Sequence, residues 1–355
     1  MSKSAQHARA SGRDAHDQQQ GWAVVGGRVA TGVAEITHDA AALDSSGFWV
    51  VVQTFEGALT CVRMSEIRGW SGWEVPGELS QSAENWVSPG GNTWRSTMGR
   101  DDYVKGVDTI RERIAAGDVY QVNLCRVLTA DMPEPPDLRA LGAALATHNP
   151  APYAATIDIP EAGLHIASAS PELFLGRQGD LVTSKPIKGT GRTAQDLTPK
   201  DEAENVMIVD LVRNDLSRVC EPGSVEVPSL LEVEEHPGLV HLVSTVQGQL
   251  TAGAGWAELL DATSPPGSVS GAPKSSALRI IHELEPTPRG AYCGAIGWVD
   301  ADTNQGALAV GIRTFEWRDG RLRLGTGAGI TWGSDPAREW DETELKVSKL
   351  LEAVQ

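Results

Sequence analysis

Apolar residues along this chain recur with two different periods. Between residues 101 and 116, Tyr103, Val107, Ile110 and Ile114 fall at i, i+4, i+7 and i+11. That is the stripe of an amphipathic helix, and Gly117 suits the residue that closes one. The next stretch alternates instead. Tyr120, Val122 and Leu124 would share one face of a strand, and Gln121 and Asn123 the other, which predicts a polar face at a site or toward solvent. Strand patterns also occur at Phe48-Trp49-Val50-Val51-Val52 and near 152–158, 164–168, 172–176, 180–184, 225–227, 241–250, 291–299, 307–316 and 321–326. Helical patterns occupy 200–214, with Met207, Ile208, Leu211 and Val212 as the stripe, then 273–284 and 336–352. The last begins cleanly, with Asp335 as a cap and Pro336 in the first turn. Strands arrive in runs with few helices between them. This predicts antiparallel sheets with helices segregated to the outside, an α+β design.

Length and composition narrow the classes. The chain has 355 residues, 41% of them hydrophobic and 22% charged, enough for a large core without staples. Residues 1–20 are polar and read as a disordered tail. Residues 21–98 read as a short β-rich part that ends in an irregular Gly/Ser/Pro/Trp-rich connection over 75–98, and 99–355 as the main domain. The formal charge of −17 argues against nucleic acid or an anionic membrane as partner. An anion site here must use a few placed Lys and Arg residues with backbone N–H groups. No run of 18 apolar residues and no signal-peptide core is present, so a cytoplasmic protein without a membrane span is expected. Cys61, Cys125, Cys220 and Cys293 lack C-x-x-C or zinc spacing and read as reduced thiols.

Three features could carry chemistry. Asp201 and Glu204 lie three apart on one predicted helix, Glu339 and Glu342 three apart on another, so each pair shares a helix face. If the faces meet, four carboxylates converge and call for a hard cation such as Mg²⁺. The same spacing also suits solvated faces, with Glu342 and Lys346 as an i,i+4 ion pair. Lys188, in Lys185-Pro186-Ile187-Lys188-Gly189-Thr190-Gly191, sits between turn residues; it is either a surface charge or a nucleophile if partly buried. Glu172, in Ser170-Pro171-Glu172-Leu173-Phe174, heads an apolar strand, where burial would raise its pKa and suit it to general acid work. Two glycine-rich stretches fail as nucleotide motifs. Gly267–Lys274 has Ala272 and Pro273 between Gly271 and Lys274, and Gly325–Ile330 lacks the last glycine of G-x-G-x-x-G. Both can still offer N–H groups to a carboxylate.

The order of these pieces is the informative part. From Tyr103 onward the chain resembles the chorismate-utilising enzymes: anthranilate, aminodeoxychorismate, isochorismate and salicylate synthases. The segments that carry the resemblance are Gly117-Asp118-Val119-Tyr120-Gln121-Val122-Asn123-Leu124, Ser170-Pro171-Glu172, and Met207-Ile208-Val209-Asp210-Leu211-Val212-Arg213-Asn214-Asp215-Leu216. They continue with His241-Leu242-Val243-Ser244-Thr245-Val246, Gly267–Lys274, Arg289-Gly290-Ala291-Tyr292-Cys293-Gly294 and Gly327-Ala328-Gly329-Ile330. Within the family, Lys188 in Pro-Ile-Lys-Gly-Thr resembles the aminodeoxychorismate branch, where anthranilate synthases carry alanine. Gln121 stands where the water-adding members carry a lysine. Lys200-Asp201-Glu202-Ala203-Glu204-Asn205 is similar to the aminodeoxychorismate form as well. Ser270 departs from the family's threonine but keeps the hydroxyl.

The resemblance implies two antiparallel sheets packed face to face with helices outside, in four layers. It implies chorismate as substrate and Mg²⁺ on the ring carboxylate, held by Glu204 and Glu342 with Asp201 and Glu339 assisting. Arg313 would hold the enolpyruvyl carboxylate, with Tyr292 and the backbone of Gly327, Ala328 and Gly329 nearby. Lys346 would sit by the ring carboxylate, His241 by the 4-oxygen, and Gln121 and Ser270 would complete the substrate site. Lys188 would add to the ring while Glu172 protonates the departing hydroxyl. Ammonia is expected from a separate glutamine amidotransferase subunit. An anthranilate synthase component, a chorismate aminase of secondary metabolism and a non-catalytic partner-binding relative are the alternatives.

Overall fold

The computed structural model describes residues 21–69, 85–90, 93–191, 193–236 and 239–354; the tail expected over 1–20 lies outside them. Four strands open the chain: β1 (Trp22–Val25), β2 (Arg28–Thr37), β3 (Phe48–Gln53) and β4 (Leu59–Gly69). A short β5 (Arg95–Ser96) precedes α1 (Arg100–Ala115) and β6 (Gln121–Asp131). Then come α2 (Leu138–His148), β7 (Tyr153–Ile159), β8 (Leu164–Ser170), β9 (Leu173–Gln178), β10 (Leu181–Lys185), β11 (Ile187–Gly191) and α3 (Pro199–Ser217). The last part holds β12 (Glu226–His236), β13 (Leu239–Gln249), α4 (Trp256–Thr263), β14 (Gly271–Ala272), α5 (Lys274–Leu284), β15 (Ala295–Asp300), β16 (Gln305–Val310), β17 (Thr314–Arg318), β18 (Arg321–Ile330) and α6 (Pro336–Glu352).

Every strand pairing among the described residues is antiparallel, and the strands link into one continuous 18-stranded sheet with helices packed on it. The α+β reading therefore holds, but the two separate sheets of the expectation are joined by hydrogen bonds. β3, for example, is fully apolar from Phe48 to Val52 because it is central: β4 lies on one edge and β15 on the other, and both of its faces are covered.

Local chemistry starts the helices that matter for the site. In α3 the Thr198 hydroxyl accepts from the Asp201 N–H, the Asp201 carboxylate accepts from the Thr198 N–H, and Pro199 fills the first turn. In α6 Asp335 accepts from the Arg338 N–H, and Pro336 follows. Gly117, with φ of +83°, closes α1 as expected. α6 is tied to the sheet by Arg126, a buried residue of β6 that donates to Thr343, Glu344 and Ser96. Two helices, α2 and α4, escaped the sequence reading. The cap of α2 is Asp137, which accepts from Arg139 and Ala140 N–H groups.

One expected strand is broken. The apolar run 307–316 splits into β16 and β17, and Gly311, Ile312 and Arg313 form the joint. A Cβ on Gly311 would lie 2.1 Å from the Ala291 carbonyl oxygen, so the backbones pass too closely there for a regular pleat. Arg313 leaves the sheet with φ of +52°.

Candidate active site

One cavity of about 780 Å³ collects most of the singled-out residues. Its walls come from β11, the first turns of α3, β13, the β8–β9 junction, the loop before β14, the β16–β17 joint, β18 and α6. Lys188, Glu172, His241, Tyr292, Arg313, Gly327, Gly329, Lys346, Asp201, Glu204, Glu339 and Glu342 all line it. These residues span the sequence from 172 to 346; only the folded sheet brings them to one place.

Lys188 is on β11, and its Nζ donates to the Ser268 carbonyl oxygen at 3.3 Å. Gly189 follows with φ of +84°, and a Cβ there would lie 2.8 Å from the Asp201 Cβ. The turn can thus seat Lys188 against α3 only with glycine at this position. Glu172 is 4% exposed. Burial pushes its carboxyl up to about 7, with the Ser268 hydroxyl, the Lys188 charge and the Ile187 N–H pulling the other way. A lysine and a half-protonated carboxyl therefore share one cavity near neutral pH.

Gln121 is buried at the start of β6. A Cβ on Gly329 would lie 2.3 Å from Gln121 Nε2 and 3.5 Å from Lys188 Nζ, so the bare glycine leaves room for both side chains. Tyr292 is seated in the same way, because a Cβ on Gly325 would lie 2.1 Å from its ring. Arg313 is half-buried, and its burial pulls its pKa down; its Nη1 donates to Asn149 Oδ1 at 3.5 Å. Asn149 also lines a second, mostly apolar cavity of about 350 Å³ between α2, β1 and β7.

The two carboxylate pairs do face each other, through a lysine. Lys200 Nζ stands 3.6 Å from Glu204 Oε1 on its own helix and 3.6 Å from Glu339 Oε1 on α6. Burial raises the pKa of Glu204, opposed by Lys188 and Lys200. Glu342 pairs with Lys346 at 2.7 Å. Burial would raise Glu342 too, but Lys346, Lys200 and Lys188 outweigh it and hold it low. Asp201 is committed elsewhere: its Oδ2 accepts from the Thr198 N–H at 2.8 Å and the Thr198 hydroxyl at 2.6 Å. Among the described residues no three acidic, His or Cys side chains are gathered as a ready cage for a metal. The oxygen-only donors and the cation already bridging two of them fit a hard divalent ion in kind.

One predicted substrate hydroxyl is turned away. Ser270 is fully buried, and its hydroxyl donates to the carbonyls of Pro266 and Gly267 at 3.1 and 3.3 Å, closing its own turn. Ser268 lines the cavity instead. Ala328, whose expected contribution is its backbone, turns its side chain into the core by strand alternation, and Gly327 and Gly329 on either side of it line the cavity. The Ser268 loop is held by contacts that no sequence pattern marked. Lys274 Nζ donates to Asp215 at 2.6 Å and to the Thr263 carbonyl at 2.7 Å. Arg289, buried, donates to the carbonyls of Val269 and Asn123, both at 2.7 Å, and pairs with Glu285.

The four cysteines are buried and unbridged, and among the described residues no helix is long and apolar enough to cross a membrane.

Residues 49–352 match the chorismate binding enzyme family. The chain is 42% identical over 279 residues to aminodeoxychorismate synthase component 1 of Klebsiella aerogenes, covering 74% of this chain and 60% of that one. It is 40% identical over 275 residues to anthranilate synthase component 1 of Streptomyces coelicolor, covering 74% and 53%. The matched part thus spans just over half the length of these relatives. A 2,3-dihydroxybenzoate-specific isochorismate synthase of Bacillus anthracis superposes with a TM-score of 0.77 at 25% identity, over 95% of this chain and 96% of that one. Anthranilate synthase component I of Streptococcus pneumoniae has the same fold, with a TM-score of 0.72 at 24% identity over 94% and 90%. With most of the family's motifs contributing residues to one cavity and the family match running through nearly all of the chain after β2, this protein belongs to the chorismate-binding enzymes.

Proposed function

We propose that this chain aminates chorismate at C4, giving 4-amino-4-deoxychorismate, with ammonia delivered by a separate glutamine amidotransferase subunit. The observation that carries the reading is Lys188 in the same cavity as Glu172. Lys188 gives up its ammonium proton to solvent, its neutral amine adds at C2 and the ring double bond shifts. The C4–oxygen bond breaks, and the hydroxyl leaves as water with the proton of Glu172. Ammonia then adds at C4, the double bond shifts back, and the Lys188 amine departs. Two moderate displacements replace one difficult one. Gln121, at the position where the water-adding members carry a lysine, supports ammonia over water as the incoming group.

Arg313 would take the enolpyruvyl carboxylate, and Tyr292 and the glycine strand would shape the pocket around it. His241 would face the 4-oxygen. Mg²⁺, held by Glu204 with Glu339 and Glu342, would neutralise the ring carboxylate and fix its orientation; Asp201, engaged by Thr198, would contribute only at longer range.

The 40% identity to an anthranilate synthase component favours a second reading, direct amination at C2. Product analysis with chorismate, Mg²⁺ and ammonium decides between them. The proposal expects 4-amino-4-deoxychorismate, and its loss by at least about 100-fold in Lys188→Ala. Anthranilate from the wild type, or the 4-amino product at full rate from Lys188→Ala, would defeat it.

A further inference from the structure

The carboxylates of α3 and α6 are not bare like charges facing each other. Glu339 is 6% and Glu204 15% exposed at the side chain, while Lys200, which bridges them at 3.6 Å to each, is 53% exposed. Two carboxylates this shielded from water repel strongly unless a cation lies between them. Here that cation is an ammonium on a flexible four-carbon stem.

The anchoring of Lys200 is asymmetric. Its backbone is fixed in the first turn of α3 by Pro199 and by the Thr198–Asp201 capping box. Its amine has open solvent on one side. The stem can therefore swing outward without disturbing the helix, while Glu204 and Glu339 stay in place. An ammonium and a divalent ion cannot both lie between these two carboxylates, because both are cations and both need the same oxygens.

We infer that Lys200 is a displaceable counterion that holds the carboxylate site together without metal and competes with the divalent ion for it. This rests on the metal reading proposed above. Lys200 thereby lowers the affinity of the free enzyme for metal and prevents Glu204 and Glu339 from driving the helices apart when the metal is absent. A charge-neutral side chain of similar length removes the competitor and leaves both carboxylates to the metal.

The test is direct metal binding to the full chain, with Mn²⁺ as the probe and its free aquo-ion followed by electron paramagnetic resonance. Lys200→Met should tighten Mn²⁺ binding about five- to thirtyfold, the factor for two partly exposed ion pairs worth together about 1–2 kcal/mol. Lys200→Arg, which keeps the charge, should stay within about threefold of wild type. Without metal, Lys200→Met should melt below wild type, and saturating Mn²⁺ should close that gap. An unchanged or weaker Mn²⁺ affinity in Lys200→Met, with wild type binding normally, overturns the counterion role and leaves the metal reading intact. A raised KM for chorismate with unchanged Mn²⁺ affinity would instead make Lys200 a substrate ligand. Absence of binding in both proteins overturns the metal reading and this inference together, while binding by Lys200→Met alone supports the inference in its strongest form.

Discussion

Glu172→Gln separates the chemistry of this carboxyl from its cost to the fold. Burial lifts the group from 4.5 to about 7, and at 1.36 kcal/mol per pH unit that difference amounts to about 3 kcal/mol. The value in the folded chain lies above that in the unfolded chain, so between these pH values the folded chain holds the extra proton. The contribution to stability is fully present below about pH 4.5 and is lost as pH rises through about 7. Glutamine imitates the protonated carboxyl at every pH. The variant and wild type should thus have similar stability in acid, and the variant should gain up to about 3 kcal/mol over wild type by pH 8. Urea unfolding of both proteins at a series of pH values measures the difference directly, because other titrating groups cancel between them. Turnover should move oppositely: without a proton to give, Glu172→Gln should lose about 10²–10⁴ in rate, and wild-type rate should decline above about pH 7. A variant that keeps the wild-type pH dependence of stability would refute the burial argument. One that turns over within tenfold of wild type would refute the general-acid role.

The other predictions concern binding and scaffold. Arg313→Met should raise KM for chorismate by about 10–100-fold with a smaller effect on kcat, the loss of one charge-assisted contact; steady-state kinetics checks it, and an unchanged KM refutes it. Gly325→Ala places a methyl 2.1 Å from the Tyr292 ring and should cost about 1–3 kcal/mol in chemical unfolding, while wild-type stability would mean that the ring has another place to go. Arg289→Met leaves the Glu285 carboxylate, 6% exposed, with only the Cys125 N–H as donor, and takes the guanidinium from two carbonyls. A loss of about 3–5 kcal/mol in urea unfolding is expected, and a loss below about 1 kcal/mol would mean that the pair is not a structural tie.

What the sequence determined by itself is what short-range physics controls. Helix α6 begins where its Asp335 cap and Pro336 put it, and α1 ends at Gly117, because helical signals act over a few residues. The antiparallel, helix-outside design followed from the run of strand patterns, and the family from motifs in order. α2 and α4 were missed although Asp137 caps α2 by a local bond. Beyond reach were the decisions made between distant segments. Ser268 faces the cavity and Ser270 does not, because Lys274, Asp215 and Arg289 hold that loop. Arg313 enters the site because Gly311 must pass close to Ala291. Asp201 and Glu204 share a helix face by spacing alone. Yet one turned to its capping partner and the other met Glu339 across Lys200. Spacing along a helix fixes which side chains are neighbours on that helix; which charge from another helix meets them depends on how the sheet beneath brings the two helices together.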